Sequence, residues 1–432
     1  MNESLHTHKL TGCAATPLAS YLKALGILRL VGEQADATAQ GWWLNDVFIL
    51  RTTLETHALL DFFRDAYRPT AIVGPWGARS GFFPGTSEKT AREALSKIAS
   101  SKLPRLADFA ATIKTVRGVL DDLKLKDKAE TPEEKRRLMM QCRARFPDEL
   151  LPWLDTTYML LDEDTKYPPM LGTGGNEGSG SYMSGFAQQV VSVLVEREWD
   201  DALIPSLLGI TTSGIGSTQT PGHFSPEAAG GPNAASSSEG GVVTNPWDYL
   251  LMLEGTLLFA AASVKRLEDR QSGTLGYPFC VRQSGVGYGS SAKSDESISR
   301  AELWLPLWSR PSSTAELSAL FAEGRAQVHG RQARNGVDFA RSVATLGTDR
   351  GIAEFQRYGF QQRNGLSYFA VPLGRFVAEP QPQVNLLSEP AIDGWLDSFR
   401  RAASSDHAPS RASRILTRLE QAILELCQHR GK

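Results

Sequence analysis

The stretch that decides the fold is NPWDYLLMLEGTLLFAAASVKR, residues 245–266. Asn245 is a good helix cap, and Pro246 suits the first helical position because that position needs no N–H donor. Residues 249–264 are almost wholly apolar, interrupted by Glu254 and Gly255. A helix that is apolar on all sides must be buried on most of them. The run is shorter than a membrane span and carries a carboxylate, so it predicts the central core helix of a soluble protein.

The length of the chain, 432 residues, exceeds what one hydrophobic core normally supports, so two or three domains are expected. The patterns predict an N-terminal α/β and helical domain at 1–165, a central α+β domain with two Gly-rich loops at 166–380, and a C-terminal helical segment at 381–432. The predicted fold class is α+β and predominantly helical. It combines a mixed α/β N-terminal domain with a helical C-terminal part around the buried 246–265 helix.

Composition and charge exclude several classes of protein. Hydrophobic residues make up 41% and charged residues 22% of the chain, as in ordinary globular proteins. The four cysteines are far apart and form no C-x-x-C pair, which argues against zinc and a disulfide framework and predicts a cytoplasmic location. A net charge of −2 is not the basic balance of a protein that binds nucleic acid alone. Such a role would have to rest on local patches or on a larger assembly.

Local patterns predict the individual elements. A helix is expected after Thr16-Pro17, and GWWLNDVFILR at 41–51 predicts a strand or hairpin because aromatic and β-branched residues dominate it. Residues 68–85 combine Pro and Gly with apolar side chains and include Arg79, which predicts a packed loop. The densely charged stretch 114–145 mixes both signs and predicts a solvated helical hairpin. Further helices are predicted at 54–67, 315–328, 389–403 and 412–428, and further strands at 277–283 and 301–308.

Two glycine-rich stretches are candidates for ligand contact. LGTGGNEGSGSYMSG at 171–185 precedes a helix, and backbone N–H groups in such a place can approach a phosphate. Its spacing fits neither a P-loop nor a dinucleotide fingerprint. Residues 209–245 hold eight Gly and six Ser, and a loop of that length is usually functional or disordered. An ordered contact loop and a disordered excursion are both left open for this second stretch.

A local excess of positive charge lies between residues 330 and 375. The stretch carries seven Arg against three acidic residues. Within it, RYGFQQRNGLSYFAVP at 357–372 interleaves arginines with aromatic side chains, a combination that offers cations to phosphates and flat faces to bases. The alternative is that the aromatic residues belong to the core and the arginines are solvated.

No constellation of catalytic residues rises above background. The seven histidines lie in no H-E-x-x-H motif, in no metal-binding pair and beside no G-x-S-x-G motif. Cys13 is predicted to be a small buried residue rather than a nucleophile. The chain is therefore predicted to have no catalytic residues, no metal and no cofactor. The alternative hypothesis is an enzyme, namely a nucleotide-binding protein or nuclease that uses the loop at 172–180.

Seven collinear stretches, distributed over most of the chain, match the pattern of one known family. They are GCAATPLASYLKALGILRLVGEQ at 12–34, GWW at 41–43, YRPTAIVGPWGARSGFF at 67–83, LGTGGNEG at 171–178, NPWDYLLMLEGTLLFAAA at 245–262, ELWLPLWSRP at 302–311 and FQRYGFQQRNGLSYFAVPLGR at 355–375. With these stretches the chain resembles the large subunit of the type I-G (formerly I-U) CRISPR Cascade effector complex. It departs from that family at Gly77-Ala78-Arg79, where the family usually has Asn.

The resemblance implies a non-enzymatic role in RNA-guided recognition of DNA. Such a subunit lies near the 5′ handle of the guide RNA (crRNA), reads the protospacer-adjacent motif on double-stranded target DNA and helps strand separation to begin. The implied partners are the guide RNA, the target DNA, the backbone and other Cascade subunits, and a helicase-nuclease, with no membrane. In such systems base pairing reads most of the sequence, and protein reads a short motif and the phosphate backbone.

The candidate nucleic-acid-binding residues are basic or amide side chains in the arginine-rich run and in the loops. They are Arg357, Arg363, Asn364, Arg375, Lys293, Arg282, Asn176, Asn233 and Arg79. A third hypothesis is a protein-only assembly scaffold, for which the arginine excess is solvated surface. Binding of RNA or DNA that weakens steeply with salt separates the nucleic-acid hypothesis from the scaffold.

Overall fold

The structure is a computed structural model, and its described residues form two compact units. It describes residues 4–77, 79–84, 89–160, 165–171, 179–210, 217–218, 224–226, 243–264, 274–282, 301–324, 327–328, 331–348, 351–363, 367–405 and 407–428. The N-terminal unit comprises 1–278, 311–322 and 364–367. The C-terminal unit comprises 279–310, 323–363 and 368–432.

Helices outweigh strands in the described chain. The α-helices are α1 (Leu18–Gln34), α2 (Thr56–Asp61), α3 (Lys89–Ser100), α4 (Ala107–Asp122), α5 (Pro132–Arg145), α6 (Leu151–Thr157), α7 (Ser179–Val190), α8 (Leu203–Leu208), α9 (Pro246–Thr256), α10 (Thr314–Ala322), α11 (Gly336–Leu346), α12 (Pro390–Ala403) and α13 (Ser410–Gln428). The strands are β1 (His6–Ala14), β2 (Gln40–Leu44), β3 (Val47–Thr52), β4 (Met159–Leu160), β5 (Thr165–Lys166), β6 (Ser217–Thr218), β7 (Val243–Thr244), β8 (Ala262–Val264), β9 (Thr274–Gly276), β10 (Cys280–Val281), β11 (Glu302–Trp308), β12 (Ser312–Ser313), β13 (Gln327–Val328), β14 (Arg331–Gln332), β15 (Ile352–Arg363) and β16 (Ser367–Val377). The predicted fold class, α+β and predominantly helical, is confirmed. Within the described part of the chain, every helix falls short of the length and hydropathy that crossing a lipid bilayer requires.

The N-terminal unit is organised around α1 and α9, whose backbones are in direct contact. A β-carbon on Gly26 would overlap the carbonyl oxygen of Leu251, and a β-carbon on Gly255 would overlap the carbonyl oxygen of Leu22. Glycine at both positions is what lets the two helices approach so closely. Both helices are buried over most of their length, so the predicted burial of the α9 sequence is confirmed.

Glu254 lies inside this core with no exposed surface. Arg29 of α1 forms a salt bridge to its carboxylate. The Tyr67 hydroxyl donates to the carboxylate at 2.7 Å, and the N–H and hydroxyl of Thr70 donate to it at 2.8 and 2.6 Å. Burial and then the charge of Glu254 raise the pKa of Tyr67 well above its usual value. A buried charge is tolerated where an opposite charge and hydrogen bonds replace water, so these contacts tie α1 and α9 to the segment 67–70.

A four-stranded antiparallel sheet, in the order β1-β3-β2-β12, packs against α1. The β2–β3 hairpin turns at Asn45 and Asp46, which both have a positive φ. Asn and Asp tolerate that conformation better than most residues do. Trp43 of β2 stacks on Tyr21 of α1 with ring centroids 5.2 Å apart. The strand or hairpin predicted at 41–51 is thus confirmed as a hairpin.

The loop that follows α2 is packed, as predicted from its apolar residues. Ile72, Val73, Trp76 and Phe83 are all buried. The indole N–H of Trp153 donates to the carbonyl of Val73 at 2.8 Å, which anchors the loop to α6. Its prolines and glycines therefore shape a piece of core rather than a solvated excursion.

The central helix is shorter than predicted. It ends at Thr256 instead of residue 265, and a 3-10 turn follows at Leu257–Phe259. The next residues, Ala262–Val264, pair as a strand with Thr274–Gly276. The hydroxyl of Thr256 donates to the Leu253 carbonyl at 2.6 Å, and side-chain bonds of this kind compete with the helical ladder. An apolar run alone could not reveal this change from helix to strand.

The division into units also differs from the predicted boundaries at 165/166 and 380/381. The stretch around α9 belongs with α1 in the N-terminal unit, not with a helical C-terminal part. Residues 311–322 belong there too, since β12 pairs with β2 and the Thr314 hydroxyl donates to the Leu28 carbonyl at 3.1 Å. Contacts between residues far apart in the chain set these boundaries, and no local change of composition marks them.

The C-terminal unit combines a four-stranded sheet, ordered β10-β11-β15-β16, with the helices α11, α12 and α13. Trp304 of β11 stacks on Phe339 of α11 with centroids 4.6 Å apart. Arg400 of α12 contacts Asp338 of α11 at 2.7 Å and Glu420 of α13 at 2.8 Å. The two closing helices predicted from the sequence are confirmed as α12 and α13.

Asp36 holds the turn between α1 and β2. Its carboxylate accepts from the N–H and hydroxyl of Thr38 at 2.9 and 2.6 Å, from the hydroxyl of Thr52 at 2.6 Å and from the N–H of Thr53 at 2.7 Å. Burial alone would raise the pKa of Asp36, but these hydrogen bonds stabilise the charged form and hold the pKa below its usual value of 3.8. Such a carboxylate adds stability above its unfolded-state pKa and loses it as the pH falls through the folded pKa.

Replacing Asp36 by Asn is expected to lower the free energy of unfolding at neutral pH by about 1–3 kcal/mol, because an amide NH₂ cannot accept the hydrogen bonds that one carboxylate oxygen accepts. The difference between wild type and Asp36→Asn should shrink as the pH falls below about 4. Urea unfolding of both proteins across the acidic range measures this difference. A difference that is independent of pH would contradict the role assigned to the charge.

Candidate nucleic-acid interface

The arginine-rich run folds into a β-hairpin of the C-terminal unit. Strand β15 lies beside β11, with Arg357 opposite Trp304 and Gly359 opposite Glu302. Strand β16 forms the edge of the sheet. Successive side chains of a strand point to opposite faces, so Arg357 shares a face with Phe355, which packs edge-on against Phe339 of α11. Arg357 therefore lies on the face of β15 that α11 covers.

Arg357 lies beneath that helix and is buried. Its guanidinium donates to the Glu302 carboxylate at 2.9 Å and lies 4.9 Å from the ring centre of Trp304. Arg357 is 3% exposed and Glu302 is 0% exposed. A phosphate does not reach a guanidinium in that position, and withdrawing the side chain would leave Glu302 as a buried, unpaired charge. This placement corrects the prediction that Arg357 contacts nucleic acid: it is a core residue.

A glycine at the start of α11 makes room for this ion pair. A β-carbon on Gly336, the first residue of α11, would meet both carboxylate oxygens of Glu302. The carboxylate thus lies against the N-terminus of α11, where the helix dipole favours negative charge. Arg357 and the helix terminus together stabilise the charged form of Glu302. The pair has a structural role, because it joins β11, β15 and α11.

Arg282 and Arg363 lie at the same end of the sheet. Val281, Glu302 and Gly359 form one row across it, so that Arg282 comes one residue beyond the row and Arg363 four residues beyond. The strand spacing and the rise per residue put their Cα atoms on the order of 14 Å apart. Arg282 is exposed. The backbone therefore places these two predicted residues at the same end of the sheet, and their contact with nucleic acid stays a prediction.

Arg375 lies toward the opposite end of the hairpin, on the edge strand β16. The rise per residue puts it on the order of 25 Å from Ser367, where β16 begins. Its guanidinium contacts the Glu354 carboxylate at 3.2 Å. Burial lowers the pKa of Arg375, but a guanidinium stays charged at neutral pH. The structure therefore does not bring Arg375 together with Arg282 and Arg363.

The other predicted residues are scattered or lie outside the described part of the chain. Arg79 is exposed, in the packed loop of the N-terminal unit. The predicted residues that lie outside the described ranges are Lys293, Asn364, Asn176 and Asn233. Residues 172–178 and most of the second Gly-rich loop lie outside them as well. The nucleotide-binding alternative depends on the first of these loops.

Three arginines that the sequence analysis did not single out form an exposed row on α13. Arg411, Arg414 and Arg418 recur at i, i+3 and i+7, which places them on one side of the helix. The buried side of α13, which includes Leu416 and Ile423, faces the other way. Across the residues that the structure describes, none of the three has an acidic partner. The spacing R-x-x-R-x-x-x-R is the sequence signal that marks them.

A half-open cavity of about 200 Å³ lies at the start of α9 in the N-terminal unit. Lys23 and Asp248 line it, with the ammonium 2.7 Å from the carboxylate. Lys23 also donates to the Ser206 carbonyl at 2.8 Å, and the Ser206 hydroxyl hydrogen-bonds to Asp248 at 2.5 Å. Burial lowers the pKa of Lys23, but the negative charge of Asp248 and the smaller effects that act with it together outweigh burial, so the pKa lies above its usual value. The ammonium is therefore protonated at neutral pH and does not serve Ser206 as a base.

Cys13, near this cavity's lysine, is fully buried. Burial raises the pKa of its thiol to about 12, and the charge of Lys23 offsets only part of that effect. The nucleophilic form of a cysteine is the thiolate, which is scarce at neutral pH when the pKa is so high. The prediction that Cys13 is a small buried residue is confirmed.

Among the described residues, no group of His, Cys, Asp or Glu has an arrangement that holds a metal ion. No protein-family model matches the chain, and no curated protein shows significant similarity to it.

Proposed function

We propose that the chain is the large subunit of a type I-G CRISPR Cascade effector complex, a non-enzymatic nucleic-acid-binding subunit of the cytoplasm. In that complex it would lie near the 5′ handle of the guide RNA and read the protospacer-adjacent motif on duplex target DNA. It would promote strand separation and present a surface to a helicase-nuclease. Its other partners are the backbone and remaining Cascade subunits.

The observation that carries this proposal is that the stretches resembling the family meet one another through buried charges. In the N-terminal unit, Arg29, Tyr67 and Glu254 come from three different stretches and share one hydrogen-bonded network. In the C-terminal unit, Glu302 and Arg357 come from two further stretches and form a buried ion pair. Segments that compensate one another's charges belong to one folding framework. This supports a resemblance at the level of the fold rather than of isolated motifs.

The distribution of charge is compatible with this role. The chain as a whole is slightly acidic, yet the C-terminal unit exposes Arg282 and the row on α13. A subunit that shares its nucleic acid with neighbouring proteins needs local cations at the contact rather than an overall basic charge. Base pairing by the guide RNA supplies the sequence specificity in such a complex.

The test is to recover the tagged chain from its native cells and to sequence the RNA that accompanies it, with the tag alone as control. RNAs of uniform length derived from a CRISPR repeat, together with Cascade subunits, are the expected result. If the chain is expressed and folded but brings down no such RNA, the proposal is wrong. Retention of a helicase-nuclease after addition of target DNA then tests the proposed recruitment step.

A further inference from the structure

We infer that the α13 arginine row, defined as Arg411, Arg414 and Arg418, binds the phosphate backbone of a nucleic acid. The inference adds a contact surface to the proposed function and rests on it for the identity of the nucleic acid in the cell. The contact itself follows from the geometry and charge of α13.

The row is directed at solvent along its whole length. With 100° per residue, the three side chains fall within about 60° of one another around the helix axis. The buried residues Leu416, Glu420, Ile423, Leu424 and Cys427 occupy the opposite side. The Cα atoms of Arg411 and Arg418 are about 10 Å apart along the axis. Duplex DNA carries one negative charge per about 1.7 Å of its axis, so all three guanidinium groups can face phosphates at once.

The row differs from Arg334 and Arg375 of the same unit, each of which forms an ion pair with an acidic side chain. Arg334 contacts Asp397 at 2.7 Å, and Arg375 contacts Glu354 at 3.2 Å. On the side of α13 that carries the row, the nearest acidic residue along the helix is Glu425, seven residues beyond Arg418, and it accepts from Gln421 at 2.9 Å. The positive charge of the row is thus uncompensated within the described chain.

The placement of the row opposes the stability of its own helix. Arg411 and Arg414 lie near the N-terminus of α13, where the helix dipole disfavours cations. Like charges at i, i+3 and i, i+4 also repel one another. A segment that breaks local rules without a compensating contact in the fold is a candidate functional surface. A polyanion would relieve both effects together, which is why we assign phosphate as the occupant.

The test compares binding of the full chain to a labelled duplex DNA of arbitrary sequence, by fluorescence anisotropy over a range of salt concentrations. The test variant is Arg411→Gln, Arg414→Gln and Arg418→Gln combined. The matched control is Lys114→Gln, Arg117→Gln and Lys128→Gln combined, which removes the same charge from exposed positions elsewhere. The slope of log affinity against log salt should fall by up to about 2.7 in the test variant, since each duplex phosphate contact contributes about 0.9. The slope of the control variant should fall much less.

Thermal unfolding separates a lost contact from a lost fold. The test variant should melt at the wild-type temperature or above it, because the substitutions remove repulsion between like charges. Failure of the wild type to bind duplex at low salt, an unchanged slope in the test variant, or an equal loss in the control would each overturn the inference. So would unchanged DNA binding with loss of a protein partner in recovery from cells, which would mark the row as a protein-docking surface.

The outcomes also separate this inference from the proposed function. If repeat-derived RNA accompanies the wild type while the test variant binds duplex DNA normally, the family role stands and the row is solvated surface. If no such RNA is found but the row carries salt-dependent DNA binding, the surface is real and the proposed complex is wrong.

Discussion

Replacement of Gly255 by alanine is expected to lower the free energy of unfolding by about 3 kcal/mol or more, or to prevent folding of the N-terminal unit, because overpacking against backbone leaves little room to relax. The new β-carbon would overlap the Leu22 carbonyl of α1. Neither helix can yield by a side-chain rotation, since the atoms that collide belong to the main chain. The two helices would have to move apart, and Arg29 would then lose its contact with Glu254.

Gly118→Ala is the matched control. Gly118 lies within α4, and a β-carbon there would have no neighbour within 4 Å. Alanine has the higher helix propensity, so this variant should be as stable as the wild type or more stable by up to about 1 kcal/mol. Thermal and urea unfolding of the three proteins measures the effect. Equal stability of Gly255→Ala and Gly118→Ala would show that the α1–α9 crossing tolerates a wider separation.

Replacement of Arg357 by methionine is expected to lower the free energy of unfolding of the C-terminal unit by about 3–5 kcal/mol, because Glu302 is left buried without its counter-ion. The loss of stability should affect the whole C-terminal unit in one cooperative transition, and it should be the same with or without nucleic acid. This outcome differs from that of a surface contact, for which binding would weaken while the fold remained intact. Urea unfolding followed by tryptophan fluorescence reports it, since Trp304 lies against the ion pair.

Two companion variants make this result specific. Glu302→Leu combined with Arg357→Met removes both charges, and such double replacements are often neutral or stabilising, so much of the stability should return. Arg375→Gln on the neighbouring strand removes an exposed ion pair and should change the free energy of unfolding by less than about 1 kcal/mol. If Arg357→Met were as stable as the wild type but bound DNA less well, the guanidinium would have to be accessible in solution.

Elements with strong local signals could be predicted from the sequence. The β2–β3 hairpin follows from a run of aromatic and β-branched residues, and α12 and α13 follow from helical periodicity. The pairing of α1 with α9 could not be predicted, because it depends on Gly26 and Gly255, which are remote in the chain. The sequence around each glycine does not indicate which helix it contacts. For the same reason, the sequence could not show that β12 and α10 belong to the N-terminal unit.

The candidate interface could be predicted only in part, because the burial of an arginine also depends on residues that are remote in the chain. A linear mixture of arginine and aromatic residues does not reveal which face of a strand a helix will cover, so the burial of Arg357 could not be predicted from the sequence. The ion pair of Arg357 depends on Glu302, which lies on another strand. The α13 arginine row was visible in the spacing of residues 411–418, but its lack of acidic partners becomes apparent only when the surrounding side chains are placed.

The return of residues 311–322 to the N-terminal unit has a consequence for how the chain is made. At roughly 5–20 residues per second, a ribosome needs about 15–65 s to reach the end of α10. Until then β2 lacks its neighbour β12, and the nascent sheet presents an open edge that another chain can pair with. The N-terminal unit therefore cannot complete its sheet until residues 312–313 have been synthesised. Its vulnerability to misassembly is greatest during translation, when chaperone protection of that edge matters most.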